Sequence, residues 1–190
     1  MKRIIDVLLS LAAIIVLLPL FIIISCAVLI SSGWPIFYIH NRVGKDRRQF
    51  RLIKFRTMVN NADALKPTLA TQNEATFPFF KIKNDVRITK IGRILRKTSL
   101  DELPQLFNIL IGDMSIVGPR PVLIDESAFL NNSRFTVRPG LTGPTQIYRD
   151  KKLSLDEMNK LEMDYVQSKH KLIVDLCIIC KTLRVVFKGQ

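Results

Sequence analysis

Cysteine is scarce in this 190-residue chain, with Cys26, Cys177 and Cys180 the only three. So few thiols build no disulfide framework, which suits a reducing compartment. Cys177 and Cys180 stand in "LCIIC", a C-x-x-C spacing, but no second pair follows. The two histidines, His40 and His170, complete no zinc pattern. Helical spacing among Ile and Leu reads instead as apolar filling. Acid is scarce as well: 16 Asp plus Glu face 29 Lys plus Arg, for a net charge of +13 and a pI near 10. Such a deficit calls for an anionic partner, whether nucleic acid, anionic lipid headgroups or a phosphorylated molecule. No nucleic-acid module is recognisable, so nucleic acid is set aside. Internal repeats and low-complexity tracts are absent too, and the length suits one domain with a real core.

Charge of either sign is missing from residues 7–30, "VLLSLAAIIVLLPLFIIISCAVLI". The run is longer than the apolar core of a signal peptide, and "SSGWPIFYIHNR" after it offers no cleavage context. As a straight helix it reaches about 36 Å, enough to cross a hydrocarbon core of about 30 Å. Pro19 sits near its centre, where it removes a backbone bond and crowds the preceding turn. Lys2 and Arg3 precede the run; Arg42, Lys45, Arg47, Arg48, Arg51, Lys54 and Arg56 follow it. Basic flanks favour the cytoplasm, and here both flanks are basic. A helix that enters, bends at Pro19 and returns satisfies both ends; a single span satisfies one. The residues leave the two topologies open. A second stretch, "KLIVDLCIICKTLRVVFK", places Leu172, Ile173, Leu176, Ile179, Leu183 and Val186 at helical spacing among lysines and arginines. It reads as a helix lying in the headgroup plane or one packed on a core.

Between these segments, "IFYIHNRVG" and "RQFRLIKFRTM" alternate apolar and basic residues and predict short strands joined by the turn "GKDRRQ". Residues 60–78 lack periodicity and read as a mobile loop. "RITKIGRILRKTS" predicts a helix presenting Arg87, Lys90, Arg93, Arg96 and Lys97.

Next comes "KTSLDELPQLFNIL", with Asp101 and Glu102 side by side. Ser99 to Glu102 fits an S-x-x-E capping box, and Pro104 suits a first helical turn. A carboxylate at a helix start, among cations, is ionised at neutral pH and able to act as a nucleophile or Mg²⁺ ligand. Consecutive helical residues point about 100° apart, so the two acids do not share a proton as a dyad. Downstream, "GDMSIVGPRPVL" presents Arg120 on a turn-rich path, and "VRPGLTGPTQ" repeats the device with Arg138. Arginine is the natural fork for phosphate. Two such arginines, an acid pair and a bilayer segment together suggest a metal-assisted phosphate site.

"KFRTM", "ITKIGRILRKTSLDELPQLFNIL", "GDMSIVGPRP" and "VRPGLTG" resemble the bacterial sugar transferase family, the small monotopic phosphoglycosyl transferases that initiate glycan assembly on a polyprenol phosphate. The resemblance runs from the apolar segment to about residue 150, and the chain reads as the minimal catalytic form. It implies an α+β fold: a re-entrant membrane helix broken at Pro19 (residues 1–32), then a small, mostly helical, membrane-associated cytoplasmic domain (33–190) with short strands and interfacial amphipathic helices. It implies that Asp101 attacks the β-phosphate of a UDP-sugar, releasing UMP, and that polyprenol (undecaprenyl) phosphate then takes the phosphosugar. Glu102 assists, and Mg²⁺ bridges Asp101 and the diphosphate. Lys54, Arg56, Arg120 and Arg138 are candidates for holding phosphate or nucleotide. Anionic lipids are expected partners, and the expected location is the cytoplasmic face of the bacterial inner membrane. Two rivals remain: a non-enzymatic basic membrane scaffold, and a sugar-only glycosyltransferase that releases UDP.

Overall fold

The computed structural model describes residues 1–75, 78–80, 82–148, 151, 153–169 and 171–188. Thr76 and Phe77 of the expected loop, His170 and the side chain of Val186 lie outside the described residues. The uncharged run forms α1 (Lys2–Ser32), which ends where Gly33 takes φ +74° and donates its N–H to the Leu29 carbonyl. Pro19 lies inside this element, which continues helically to Ser32. Its missing N–H forgoes one backbone bond, so this is where the helix bends most easily. Asp6, Ser10, Phe21, Ile24 and Val28 are buried, with Ala13, Ile14, Leu17 and Leu20 half-buried between them. That three-to-four-residue spacing is one helix face, laid along the rest of the protein. The other face exposes Leu8, Leu11, Ile15, Val16, Ile22, Ile23 and Ile30. By length and composition α1 is able to cross a membrane.

Strands β1 (Phe37–Val43) and β2 (Gln49–Phe55) pair antiparallel, Tyr38 opposite Lys54 and Arg42 opposite Phe50. The turn between them puts Asp46 and Arg47 in the left-handed region, as a tight hairpin connection requires. Segment 60–78, expected to be a loop, contains turns and a 3₁₀ helix at Pro67–Gln72. Helix α2 (Lys90–Thr98) starts later than the sequence pattern suggests, because the Thr89 hydroxyl caps it by accepting from Gly92 N. Arg87, expected to present charge on that helix, instead lies before it. It is buried against Asp85, 2.6 Å away, and donates to the Ala62 carbonyl.

Helix α3 (Gln105–Ile111) ends at Gly112 (φ +101°). A short parallel pair, β3 (Ser115–Val117) and β4 (Gly140–Thr142), follows α3 and brackets α4 (Ile124–Ser127). Gly118 and Gly140 meet backbone to backbone: a Cβ on Gly140 would lie 2.1 Å from Gly118 N. Helices α5 (Leu155–Gln167) and α6 (Lys171–Lys188) complete the chain. On α6, Ile178 and Asp175 are buried, while Leu172, Ile173, Leu176 and Leu183 are exposed. All three cysteines are free and exposed.

Residues 1–32 and 33–190 share a core, in which Phe21, Ile24 and Val28 meet Phe50, Leu52, Phe55, Leu95, Leu106, Ile109 and Met114. Polar contacts reinforce the junction at both ends of α1. At its start, Lys2 pairs with Asp175 at 2.5 Å, Arg3 donates to the Ile109 and Leu110 carbonyls, and Asp6 accepts from Ser115 Oγ and Ile116 N. At its end, Arg56 donates to the Ser32 and Gly33 carbonyls.

Candidate active site

The acid pair is placed by three contacts between distant segments. Asn108 of α3 is fully buried; its Oδ1 accepts from Ile53 N and its Nδ2 donates to the Arg51 carbonyl, pinning β2 to α3. Thr89 N donates to the Thr57 carbonyl, fixing the start of α2 to the end of β2. Gly92 makes that approach possible, since a Cβ there would lie 2.0 Å from the Thr57 carbonyl oxygen. Helix α2 then stops at Ser99 in the left-handed conformation (φ +58°), and a 3₁₀ turn, Leu100–Glu102, delivers the acids before α3 begins. The S-x-x-E pattern does not cap α3. Ser99 makes no side-chain cap, and its N–H is already taken by the Arg96 carbonyl closing α2.

Neighbouring in sequence, the acids differ in surroundings. Asp101 is 8% exposed. Burial pushes its carboxyl from the ordinary 3.8 up to about 6; Lys54 and Arg96 oppose the rise, and Glu102 adds to it. A value near 6 leaves Asp101 mostly ionised at neutral pH, but as a carboxylate short of solvation. Glu102 is more exposed and accepts from Lys54 Nζ at 2.5 Å. Lys54 therefore links the two acids, bonded to one and close to the other. Arg96 approaches from α2 and donates its Nε to Thr57 Oγ1.

The candidate cations separate into two groups. Lys54 stands beside the acids, and Arg120 is exposed on the turn between Pro119 and Pro121. Arg42 was not among the candidates, yet it belongs with these two. It lies close enough to feel the charges of Arg120 and Glu102, and its pairing with Glu126 is loose at 3.8 Å. Its Nε is buried without a hydrogen-bond partner among the described residues, and burial is the main force lowering its affinity for a proton. A guanidinium does not deprotonate, so this crowding instead favours an incoming anion. The sequence signal for Arg42 was present: Tyr38, His40 and Arg42 alternate on one face of β1, the face Lys54 shares. Arg56 and Arg138 lie elsewhere. Arg56 is buried at the end of α1, bonded to Ser32, Gly33 and Asn60. Arg138 donates to the Gly112 carbonyl at the C-terminal end of α3, whereas Asp101 precedes the start of that helix.

Among the described residues no group of three His, Cys, Asp or Glu side chains could hold a metal. Asp101 and Glu102 nevertheless fit Mg²⁺, which takes one or two carboxylates and completes its shell with substrate phosphate oxygens and water. The poorly solvated charge on Asp101 is the kind a cation would relieve. A cavity of about 390 Å³ lies elsewhere, between residues 71–74 and 82–84, and the acids do not line it.

The family model for bacterial sugar transferases matches residues 1–189. Exopolysaccharide production protein ExoY of Sinorhizobium fredii is 41% identical over 189 residues, covering 96% of this chain and 83% of that protein. Undecaprenyl-phosphate galactose phosphotransferase of Salmonella typhimurium is 40% identical, covering 99% of this chain and 40% of its own length. UDP-glucose:undecaprenyl-phosphate glucose-1-phosphate transferase of Klebsiella pneumoniae is 37% identical, with the same coverage of 99% and 40%. The chain thus spans most of the first relative and about two fifths of the other two. It belongs to the bacterial sugar transferase family and is a transferase.

Proposed function

We propose that the protein moves a sugar phosphate from a UDP-sugar to polyprenol phosphate, in two displacements on Asp101. The observation that carries this is a buried Asp101 flanked by Lys54 and Arg96, in a chain aligned along nearly its whole length with an undecaprenyl-phosphate galactose phosphotransferase. In the first displacement an Asp101 oxygen forms a bond to the sugar-bearing β-phosphorus. The bond from that phosphorus to the bridging oxygen breaks, and UMP leaves with the oxygen and its electron pair. In the second, a phosphate oxygen of the polyprenol carrier attacks the same phosphorus and expels the Asp101 carboxylate, giving polyprenol diphosphate sugar. Lys54 holds Glu102 in place and offsets negative charge at Asp101, while Arg42 and Arg120 grip the diphosphate. Mg²⁺, held by Asp101 with help from Glu102, would offset charge on the phosphoryl oxygens.

We further propose that α1 is re-entrant and that the body faces the cytoplasm, at the inner membrane. Both ends of α1 are bonded to the same body, and a straight span would carry Lys2 and Arg3 away from it. The exposed apolar residues of α1 and of α6, joined by the Lys2–Asp175 pair, supply a surface for lipid. Anionic headgroups would meet the basic remainder. The soluble nucleotide sugar and the bilayer-bound acceptor then meet at one interface.

The test is nucleotide release by detergent-solubilised protein given Mg²⁺, undecaprenyl phosphate and UDP-sugars including UDP-galactose and UDP-glucose. UMP is expected from one donor, with a loss of at least about a thousandfold in Asp101→Asn. Release of UDP would instead mark a sugar-only transferase, and an Asp101→Asn variant as active as wild type would remove Asp101 as nucleophile.

A further inference from the structure

Beneath the turn that carries Arg120 lies an ion pair with almost no access to solvent. Arg134, in the 3₁₀ turn Asn132–Thr136, is 4% exposed, and Glu162 of α5 is 1% exposed. Their charged groups meet at 3.1 Å, Nη1 to Oε2. One further atom from each side chain reaches the backbone of a single residue, and Glu162 is also hydrogen-bonded by the Thr145 side chain. Arg134 Nη2 donates to the Arg120 carbonyl at 2.6 Å, and Arg120 N–H donates to Glu162 Oε1 at 3.4 Å. Prolines flank Arg120, so its peptide N–H is the only one in Pro119-Arg120-Pro121. That N–H and the carbonyl of the same residue are both taken by the pair. On the chain just before it, Gly118 is pressed against Gly140 and hydrogen-bonded to the Thr142 carbonyl. The Arg120 peptide is therefore gripped from below, while its side chain remains exposed.

Stability alone is a poor reason for this arrangement. Desolvating two charges is costly, and buried pairs are often replaced by apolar side chains without loss. What an apolar pair lacks is a fork able to hold a carbonyl and an N–H of one residue at once. We propose that Arg134 and Glu162 are positioning residues, which fix the Arg120 backbone so that its guanidinium meets the substrate diphosphate without first being ordered. This rests on the role of Arg120 proposed above. Freezing a long side chain's base in advance lowers the ordering cost that binding would otherwise carry.

A double-mutant cycle tests it, with UDP as the probe because it carries the donor's diphosphate whatever the sugar. The full chain in detergent, with Mg²⁺, is titrated with UDP by calorimetry, and thermal unfolding is followed in parallel. Arg120→Ala is expected to weaken UDP binding by about 10- to 100-fold, the range for a lost charge-assisted hydrogen bond. Glu162→Gln, in otherwise unchanged protein, is expected to weaken it about three- to tenfold, and to add nothing when Arg120 is already alanine. Arg134→Lys keeps the buried charge but loses the fork. It should behave like Glu162→Gln, and it carries the cycle if that variant does not fold. Equal fold losses with and without Arg120 would overturn positioning through Arg120, as would wild-type affinity in both variants. Full UDP affinity in Arg120→Ala would instead overturn the role of Arg120 itself, a distinguishable failure.

Discussion

Asp101 and Glu102 show how far one step along a chain changes an ionisable group. The 3₁₀ turn aims Asp101 inward, where desolvation dominates, and leaves Glu102 at the rim with Lys54. The contrast depends on the spacing between α2 and β2, and that spacing rests on Gly92. Alanine usually favours a helix over glycine by about 1 kcal/mol. At this position it should do the opposite, because its Cβ meets backbone that has no free space to yield. Gly92→Ala is expected to destabilise the protein by about 1–3 kcal/mol, the usual cost of overpacking, and to lower transferase activity by shifting Asp101 from Lys54. Thermal unfolding and nucleotide release check both; a more stable variant would show that the contact is not tight. The acids and Arg120 were legible in the sequence because residue type and turn context announce them. Gly92 and Arg96 were not, since their meaning comes from pairings such as 57 with 92 and 57 with 96 that no local pattern encodes; Arg42 stands in the β1 alternation, but only the fold sets it near Arg120. Arg56 reads like Lys54 in a basic strand, and only the fold sends it to the end of α1.

At the scale of elements, α1 poses a question of what holds it down. Lipid tails are as apolar as leucine, so Phe21, Ile24 and Val28 gain little from leaving lipid for the protein core beyond better packing. Polar contacts are therefore the ones that discriminate. Asp6 is buried in a largely apolar helix, where a carboxylate is tolerated only when bonded, and it is bonded to Ser115 Oγ and Ile116 N. Asp6→Leu makes the helix more apolar yet strands two donors. We expect a loss of about 1–3 kcal/mol, seen as a lower thermal midpoint in detergent, with Asp6→Asn milder because it keeps one acceptor. A midpoint for Asp6→Leu at or above wild type would show that the polar anchor contributes nothing. The apolar run was plain from its missing charge and the hairpin from its alternation. That one face of α1 lies along the body was not, because residues 7–30 are apolar on every side and the pattern alone offers no preferred face. The start of α2 slipped by three residues because the Thr89 hydroxyl accepts from Gly92 N and caps the helix there, a contact that residue spacing does not encode.

For the whole molecule, charge and contact point to the same topology. A net charge of +13 and basic residues on both sides of α1 favour one aqueous face for both ends. The contacts agree, since Lys2 and Arg3 reach α6 and α3 while Arg56 holds Ser32 and Gly33. A straight span would have to break the first set, leaving Asp6 without Ser115 and Ile116 and leaving Asp175 with Tyr165 but without Lys2. The re-entrant arrangement keeps every one of these bonds and needs only a bend, most easily made at Pro19. Thiol labelling decides between them. With Cys26, Cys177 and Cys180 changed to alanine, one cysteine is inserted after Met1 in one protein and Lys160→Cys is made in another. In spheroplasts of a bacterial host, a membrane-impermeant maleimide should label neither site, and lysis should expose both. Labelling of the N-terminal cysteine in intact spheroplasts, with Lys160→Cys still protected, would mean that α1 crosses the bilayer and that its contacts with α3 and α6 are not made in the membrane.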